Sequence, residues 1–282
     1  MSIIKDDIVI VAALRTPIGT YNGSLKNLDA DKLGTIVIKK LLNQSKIIPE
    51  DVDEVIMGQV LTSAVGQNPA RQSSINAKIP VTTPAYTINQ VCGSGLRSIV
   101  SAYQSIKLGD NKVIIAGGQE NMSKAPHAIF FREDKKFSHE KLIDTMLKDG
   151  LIDSFNGYHM GVTAENVAEK LNISREQQDI FALKSQEKTQ KAIEKKIFNN
   201  ELIKIELKDG NNNIFLDKDE HPRKNVNLND LKNLKTIFKK NGTVTPGNSS
   251  GINDGASAII LMSRKEAEKR SLSPLVRIVS WA

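Results

Sequence analysis

The chain has 282 residues, 39% of them apolar and 25% charged, with a formal net charge of +7. That is core material for two domains or one large α/β domain, and it excludes a disordered chain. A single cysteine, Cys92, and four scattered histidines argue against a disulfide framework and against a cysteine- or histidine-built metal centre.

The apolar run at 7–13 predicts a buried strand, ended by Arg15-Thr16-Pro17. Leu33, Ile36, Val37 and Leu41 recur at helical spacing, which predicts a helix over 29–43. A second strand follows at 52–60. Asn68-Pro69 opens a short helix, with proline suited to its first position. A third strand at 85–89 leads into a helix over 92–108, with Leu96, Ile99, Val100, Tyr103 and Ile106 on its apolar side. Gly109 stops that helix. A strand at 112–116 runs into Gly117-Gly118. This alternation predicts a sheet with helices on its faces.

The rhythm breaks over 121–249, which is mostly polar and too long for an ordinary loop, so it reads as an inserted subdomain. Ser174-Arg175-Glu176-Gln177 is a capping box opening a helix to about Phe198. The stretch 201–207 alternates as a half-exposed strand does, and 209–213 is a turn. Strand character returns at 256–262, completing the first sheet, and another strand begins at 274–279. The longest apolar runs, 8–14 and 256–262, are too short to span a bilayer. The first residues carry no basic segment ahead of an apolar one, so no membrane association and a cytoplasmic address are expected. The basic residues are spread widely without interleaved aromatics, which speaks against nucleic acid and suits a phosphate-bearing substrate.

Chemistry gathers at two corners. In N-Q-V-C-G-S-G at 89–95, a cysteine stands between a strand and the first turn of a helix. The free N–H groups and partial positive charge there favour a thiolate and can hold an oxyanion. Gly93 and Gly95 permit close approach of backbone and substrate. The competing reading is a buried structural cysteine. The second corner, 243–256, is small, polar and glycine-rich. It reads either as a ligand-facing turn or as a plain connecting loop.

These stretches carry a resemblance. The chain resembles the thiolases, and among them the acetyl-CoA acetyltransferases. The matches are Arg15-Thr16-Pro17-Ile18-Gly19, N-Q-V-C-G-S-G-L-R-S at 89–98, G-G-Q-E-N-M-S-K-A-P-H at 117–127, Y-H-M-G-V-T-A-E-N-V at 158–167 and G-N-S-S-G-I-N-D-G-A at 247–256. The resemblance implies a layered α/β fold, a mixed sheet flanked by helices, with an inserted loop domain that holds coenzyme A. It implies one domain from 1–120 and 250–270, the loop domain at 121–249, and the first strand of a truncated further domain at 271–282.

By the same resemblance, Cys92 is the nucleophile that takes the acetyl group, and its N–H is half of an oxyanion hole. Ser250 matches a contact to the pantetheine arm. His159 and Met160 match residues near the acyl end, and Arg223 a position near the nucleotide. The implied reaction joins two molecules of acetyl-CoA into acetoacetyl-CoA and free coenzyme A. No cofactor is implied, since the coenzyme A thioester is the substrate. The family is usually a homo-oligomer, dimeric or tetrameric.

The family's N-E-A-F, G-H-P and C-x-G-G-G motifs do not occur here. None of His127, His139, His159 or His221 matches the missing base. Two alternatives follow: a catalytically incomplete remnant that binds coenzyme A, or one subunit of a split enzyme whose partner chain carries the missing domain. The stretch 275–279 is then expected to be an unpaired strand and a site of aggregation.

Overall fold

The computed structural model describes residues 7–130, 142–209 and 212–282. The chain opens with β1 (Ile8–Arg15), β2 (Gly19–Thr20) and α1 (Ala30–Ser45). Then come β3 (Glu54–Gly58), α2 (Pro69–Asn76), β4 (Ala85–Ile88), α3 (Ser94–Leu108) and β5 (Val113–Asn121). The segment after β5 holds β6 (His127–Ala128), β7 (Ile143–Asp144), α4 (Met160–Lys170) and α5 (Arg175–Glu194). It continues with β8 (Ile205–Asp209), β9 (Asn212–Leu216) and α6 (Leu228–Lys232). Last are β10 (Asn253–Ser263), α7 (Arg264–Lys269) and β11 (Val276–Arg277). His139 lies outside the described residues.

The main sheet has the order β11-β1-β10-β5-β3-β4, with β2 paired to β10. Strand β3 runs parallel to β4 and β5, while β10 is antiparallel to both β5 and β1. The sheet is therefore mixed and flanked by helices, as the alternation of elements implies. The returning strand lies at its centre rather than its edge. One face packs against α1, α2 and α7 in a core that includes Leu33, Val37, Ile38, Leu41, Ile115 and Ile260. The other packs against α3 through Ile56, Ala102, Ile106, Ile114 and Leu261.

Helix α1 is held by this packing and not by its cap. Its N-cap, Asp29, makes no side-chain capping bond, which forgoes about 1 kcal/mol. Leu33, Val37, Ile38 and Leu41 are fully buried, and each contributes roughly 2 kcal/mol. Helix α2 is capped, because Asn68 Oδ1 accepts from Arg71 N at 3.2 Å, with Pro69 at the first position. Helix α5 opens on the expected capping box, Ser174 with Gln177. It stops at Glu194, short of 198, because Lys196 turns into the left-handed region at φ 56°.

Three further expectations are corrected. Helix α3 begins at Ser94, not at residue 92, and Leu96 is 73% exposed. Its buried stripe is Ser94, Ser98, Ala102 and Ile106, mostly small residues, because the start of the helix lies close on the sheet. The strand expected at 112–116 continues through both glycines to Asn121. A Cβ at Gly117 would stand 2.0 Å from Ser257 O, so glycine at 117 lets β5 and β10 stay paired. Finally, the stretch 275–279 is not unpaired. Val276 and Arg277 pair with β1, Leu275 N donates to Ile10 O at 2.8 Å and Ile278 N to Ile8 O at 3.0 Å. The outer groups of β1 supply these partners, and Trp281 then meets the Tyr103 ring edge-on at 4.7 Å.

The inserted segment is tied to the sheet in two ways. Ile203, Ile205 and Leu207 join the main core. Arg15, at the end of β1, donates Nε to Glu201 at 2.6 Å and its two terminal nitrogens to Asp219 at 2.7 and 3.0 Å. Burial raises the Asp219 carboxyl, but the bonds from Arg15 and from Ile18 N–H outweigh it and hold it below the usual range.

Helix α3 meets the sheet glycine on glycine. A Cβ on Gly58 would stand 2.4 Å from Ser94 C and 2.5 Å from Gly95 N, both backbone atoms. Gly58→Ala is expected to destabilise the chain by roughly 1–3 kcal/mol, since relief requires α3 to lift off the sheet. Gly95→Ala, whose Cβ would meet Gly118 Cα at an ordinary 3.8 Å, is expected to stay within about 0.5 kcal/mol. Urea midpoints of the two variants measure the difference.

Candidate active site

Between β4 and α3 the chain makes a tight turn. Val91 N donates to Asn89 Oδ1 at 2.9 Å, and Gln90 N donates to Ser94 Oγ at 2.8 Å. That hydroxyl donates to Val91 O at 2.6 Å, while Gly93 N reaches Gln90 O at 3.0 Å. The bonds hold Val91 at φ 47°, a left-handed conformation that a β-branched residue resists. Cys92 stands on this strained turn and is exposed. The buried structural cysteine is thereby excluded. Ser94 starts the helix two residues later, so the thiol stands at the N-terminal end of α3, where the turn takes up Gly93 N on Gln90 O and Ser94 N on Val91 O at 3.1 Å. Gly95 lies close on Gly118 of the sheet and also lines the cavity that Cys92 lines, while Gly93 faces the Gln90 carbonyl.

Cys92 lines a cavity of about 350 Å³ whose other walls are the ends of β3, β5 and β10, with Arg15 and Ile18. The wall after β3 is fastened by buried amides. Gln59, 1% exposed, donates Nε2 to Leu61 O at 2.9 Å and accepts from Gln119 Nε2 at 3.0 Å. Ser73 Oγ donates to Gln119 Oε1 at 2.7 Å. Glu120 accepts from Val60 N at 2.8 Å and Leu61 N at 3.2 Å. Asp254, 1% exposed, accepts from Ser123 N at 3.0 Å and Ser123 Oγ at 2.6 Å. No group of three or more metal-ligating side chains gathers among the described residues.

The other sequence-predicted residues stand apart from this cavity. His159 is the N-cap of α4, its Nδ1 accepting from Gly161 N at 2.9 Å, and its ring stacks on Phe238 at 4.8 Å. That bond places any proton of the neutral ring on Nε2. Met160 is the first residue of α4 and is partly exposed. Ser250 is exposed, with Oγ on Gly251 O at 3.1 Å, just before the β10 residues that wall the cavity. Arg223 has an exposed side chain, and its backbone N donates to Gln186 Oε1 at 3.0 Å. His127 is exposed, with Nε2 4.0 Å from Asp144. None of these lines the cavity as described. Sequence reasoning missed Gln59, Gln119, Glu120 and Asp254. The available signal was polar side chains inside runs that become buried strands.

Comparison with known proteins gives a consistent answer. The family described as "Thiolase, N-terminal domain" matches residues 8–265. An acetyl-CoA acetyltransferase of Paracoccus denitrificans is 49% identical over 274 residues, 97% of this chain and 70% of that protein. A cytosolic acetyl-CoA acetyltransferase of Rattus norvegicus is 46% identical over 280 residues, 99% of this chain and 70% of that protein. The crystal structure of a Bacillus anthracis acetyl-CoA acetyltransferase superposes with a TM-score of 0.94 at 39% identity. That match covers 98% of this chain and 70% of the other.

Glu120 gives the site a pH signature. Burial pushes its carboxyl up to about 6, against the opposing Val60 and Leu61 N–H bonds and with the help of Asp254. The folded chain thus keeps a proton that the unfolded chain releases near 4.5. This stabilisation is full below the unfolded value and is lost as the pH rises through the folded one, a change of about 2 kcal/mol. Glu120→Gln is expected to remove that slope. Unfolding free energies of both proteins across this range check it, and a constant difference between them would contradict it.

Proposed function

The chain belongs to the thiolase family of acyltransferases, and we propose that it moves acetyl groups between coenzyme A thioesters through an acetyl-cysteine on Cys92. The observation that carries this reading is the exposed Cys92 on its strained turn, facing a walled cavity at the start of α3. A thiol in that place is accessible and stands at the positive end of a helix.

The first half-reaction is an acyl transfer to Cys92. The Cys92 sulfur attacks the carbonyl carbon of acetyl-CoA. The bond from that carbon to the coenzyme A sulfur breaks, and coenzyme A leaves with the electron pair and takes up the proton. The Cys92 N–H supplies one donor to the oxyanion of the intermediate in this reading. In the second half-reaction, the methyl carbon of another acetyl-CoA, having lost a proton, attacks acetyl-Cys92. Acetoacetyl-CoA leaves and the thiol is regenerated. Breakdown is the reverse.

In this reading the coenzyme runs from Arg223 near its nucleotide, past Ser250 at the pantetheine arm, to His159 and Met160 near the acyl end. The thioester is the substrate and no separate cofactor enters. The G-H-P and C-x-G-G-G motifs are not among these 282 residues, so the proton transfers of condensation draw on groups outside them. A missing general base slows such a step by roughly 10²- to 10⁴-fold. We read the setting as cytoplasmic, because two of the relatives are named as cytosolic. Self-association as a dimer or tetramer belongs to the same reading.

Incubation with acetyl-CoA, followed by intact-mass and peptide mass spectrometry, is expected to place one acetyl group on Cys92. Cys92→Ala is expected to lose that label completely. An alanine variant acetylated to the wild-type level would remove Cys92 from the mechanism.

A further inference from the structure

We propose that Glu165 is a positioning residue that fixes the loop at 243–249 and thereby sets where Ser250 meets the pantetheine arm. This rests on the reading of Ser250 as a contact to that arm. Glu165 lies on α4, the helix that starts at Met160 and is capped by His159. It is 4% exposed. Its carboxylate accepts from Thr243 N at 2.9 Å, Thr243 Oγ1 at 2.9 Å and Val244 N at 2.8 Å. One side chain therefore joins the helix of the acyl-end residues to the loop that leads to Ser250.

The far end of the loop is held by a second buried carboxylate. Asp179 on α5, with no exposed surface, accepts from Arg175 Nε at 2.7 Å and from Asn248 Nδ2 at 2.9 Å. Asn248 in turn accepts from Thr245 N at 2.8 Å and donates to Thr243 O at 3.1 Å. Gln178 Nε2 reaches Thr243 Oγ1 at 2.9 Å. The loop is thus clamped from α4 at its start and from α5 at its end. Ser250 follows at once and is exposed. A Cβ on Gly242 would stand 2.2 Å from Glu165 Oε1, so the loop enters against the carboxylate itself.

A carboxylate buried without compensation would rise and shed its charge. Burial does raise Glu165, but the Val244 and Thr243 bonds, with Lys239 nearby, hold it below the usual range. It stays an acceptor at neutral pH. Glutamine at this position offers one carbonyl oxygen and turns an NH2 group toward N–H donors, so the loop loses part of its anchor while the helix keeps its shape.

The test uses the 282-residue chain and two probes, coenzyme A and 3′-phosphoadenosine diphosphate, the nucleotide half without the arm. In Glu165→Gln, calorimetry is expected to show coenzyme A binding weakened about tenfold, the loss of one charge-assisted bond. Binding of the nucleotide half is expected to stay within about twofold, because Arg223 is not attached to this loop. Amide exchange at Thr243 and Val244 is expected to speed up by about tenfold or more. Equal weakening of both probes would mean a general loosening of the insertion and would overturn the positioning role. So would unchanged amide exchange, which needs no ligand to measure. A wild-type chain that binds the nucleotide half but gains nothing from the arm would overturn the reading of Ser250, and the role of Glu165 with it. Should Glu165→Gln not fold, Thr243→Val removes one donor and is expected to weaken coenzyme A alone by about threefold. No change there would likewise overturn the proposal.

Discussion

The backbone of α3 lies against the backbone of the sheet at its first turn, and the site depends on that distance. Gly58 on β3 and Gly118 on β5 are side by side in the ladder; Gly58 faces Ser94 and Gly95, and Gly118 faces Gly95. No side chain intervenes. Ser98 Oγ adds a bond to Gly117 O at 2.8 Å, so a polar contact replaces the apolar packing that usually spaces a helix from a sheet. The turn before the helix is consequently drawn down onto the strand ends. This draws Cys92 into a cavity whose walls are those strand ends, and it loads the strain onto Val91. The strain is held by five short-range hydrogen bonds within 89–94, each worth about 1 kcal/mol net. That is enough to offset one left-handed residue at roughly 1–3 kcal/mol.

The inserted segment obeys a different physics from the sheet. The sheet is held by apolar burial on two faces. Much of the insertion is instead pinned by carboxylates: Asp219 on Arg15, Glu165 on the Thr243–Val244 backbone, Asp179 on Arg175 and Asn248. Helix α5 shows the extreme, since its one fully buried residue is Asp179. Directional bonds specify a loop's path more sharply than apolar contact does, at the cost of desolvating the charge.

The features legible in the sequence were those whose cause is local. Gly109 ends α3 because its φ of 88° suits glycine, and Ser174 with Gln177 caps α5 through bonds spanning three residues. The position of Cys92 between strand and helix was legible for the same reason. Leu96 was misplaced because helical spacing says which residues share a face, not which face meets the sheet. Here the small residues at 94, 98 and 102 won, since only they permit the close approach. The pairing of Val276 with β1 was invisible because its partner is the first strand of the chain. Glu120 and Glu165 both stand inside stretches that carry the family resemblance, yet neither showed a role there. A carboxylate becomes a fastening only when distant backbone N–H groups converge on it, as Val60 and Leu61, or Thr243 and Val244, do.

The order of elements adds a constraint on how the site assembles. Strand β10 sits between β1 and β5, so the first and fourth strands of the main run of the sheet meet only through a strand that follows the whole insertion. Its ladder pairs Ile8 with Ser263 on one side and Val113 with Met262 on the other. Such pairings close very long loops, which slows folding more than it weakens the product. Asn253 to Ser257 also wall the Cys92 cavity. The cavity therefore has no finished form until the insertion has brought its end back to the sheet. Glu165 and Asp179 clamp the chain a few residues before β10 begins, which fixes where the returning strand enters. The same carboxylates that hold the 243–249 loop thus also aim the strand that completes the wall, and that loop and the Cys92 cavity are built in one step.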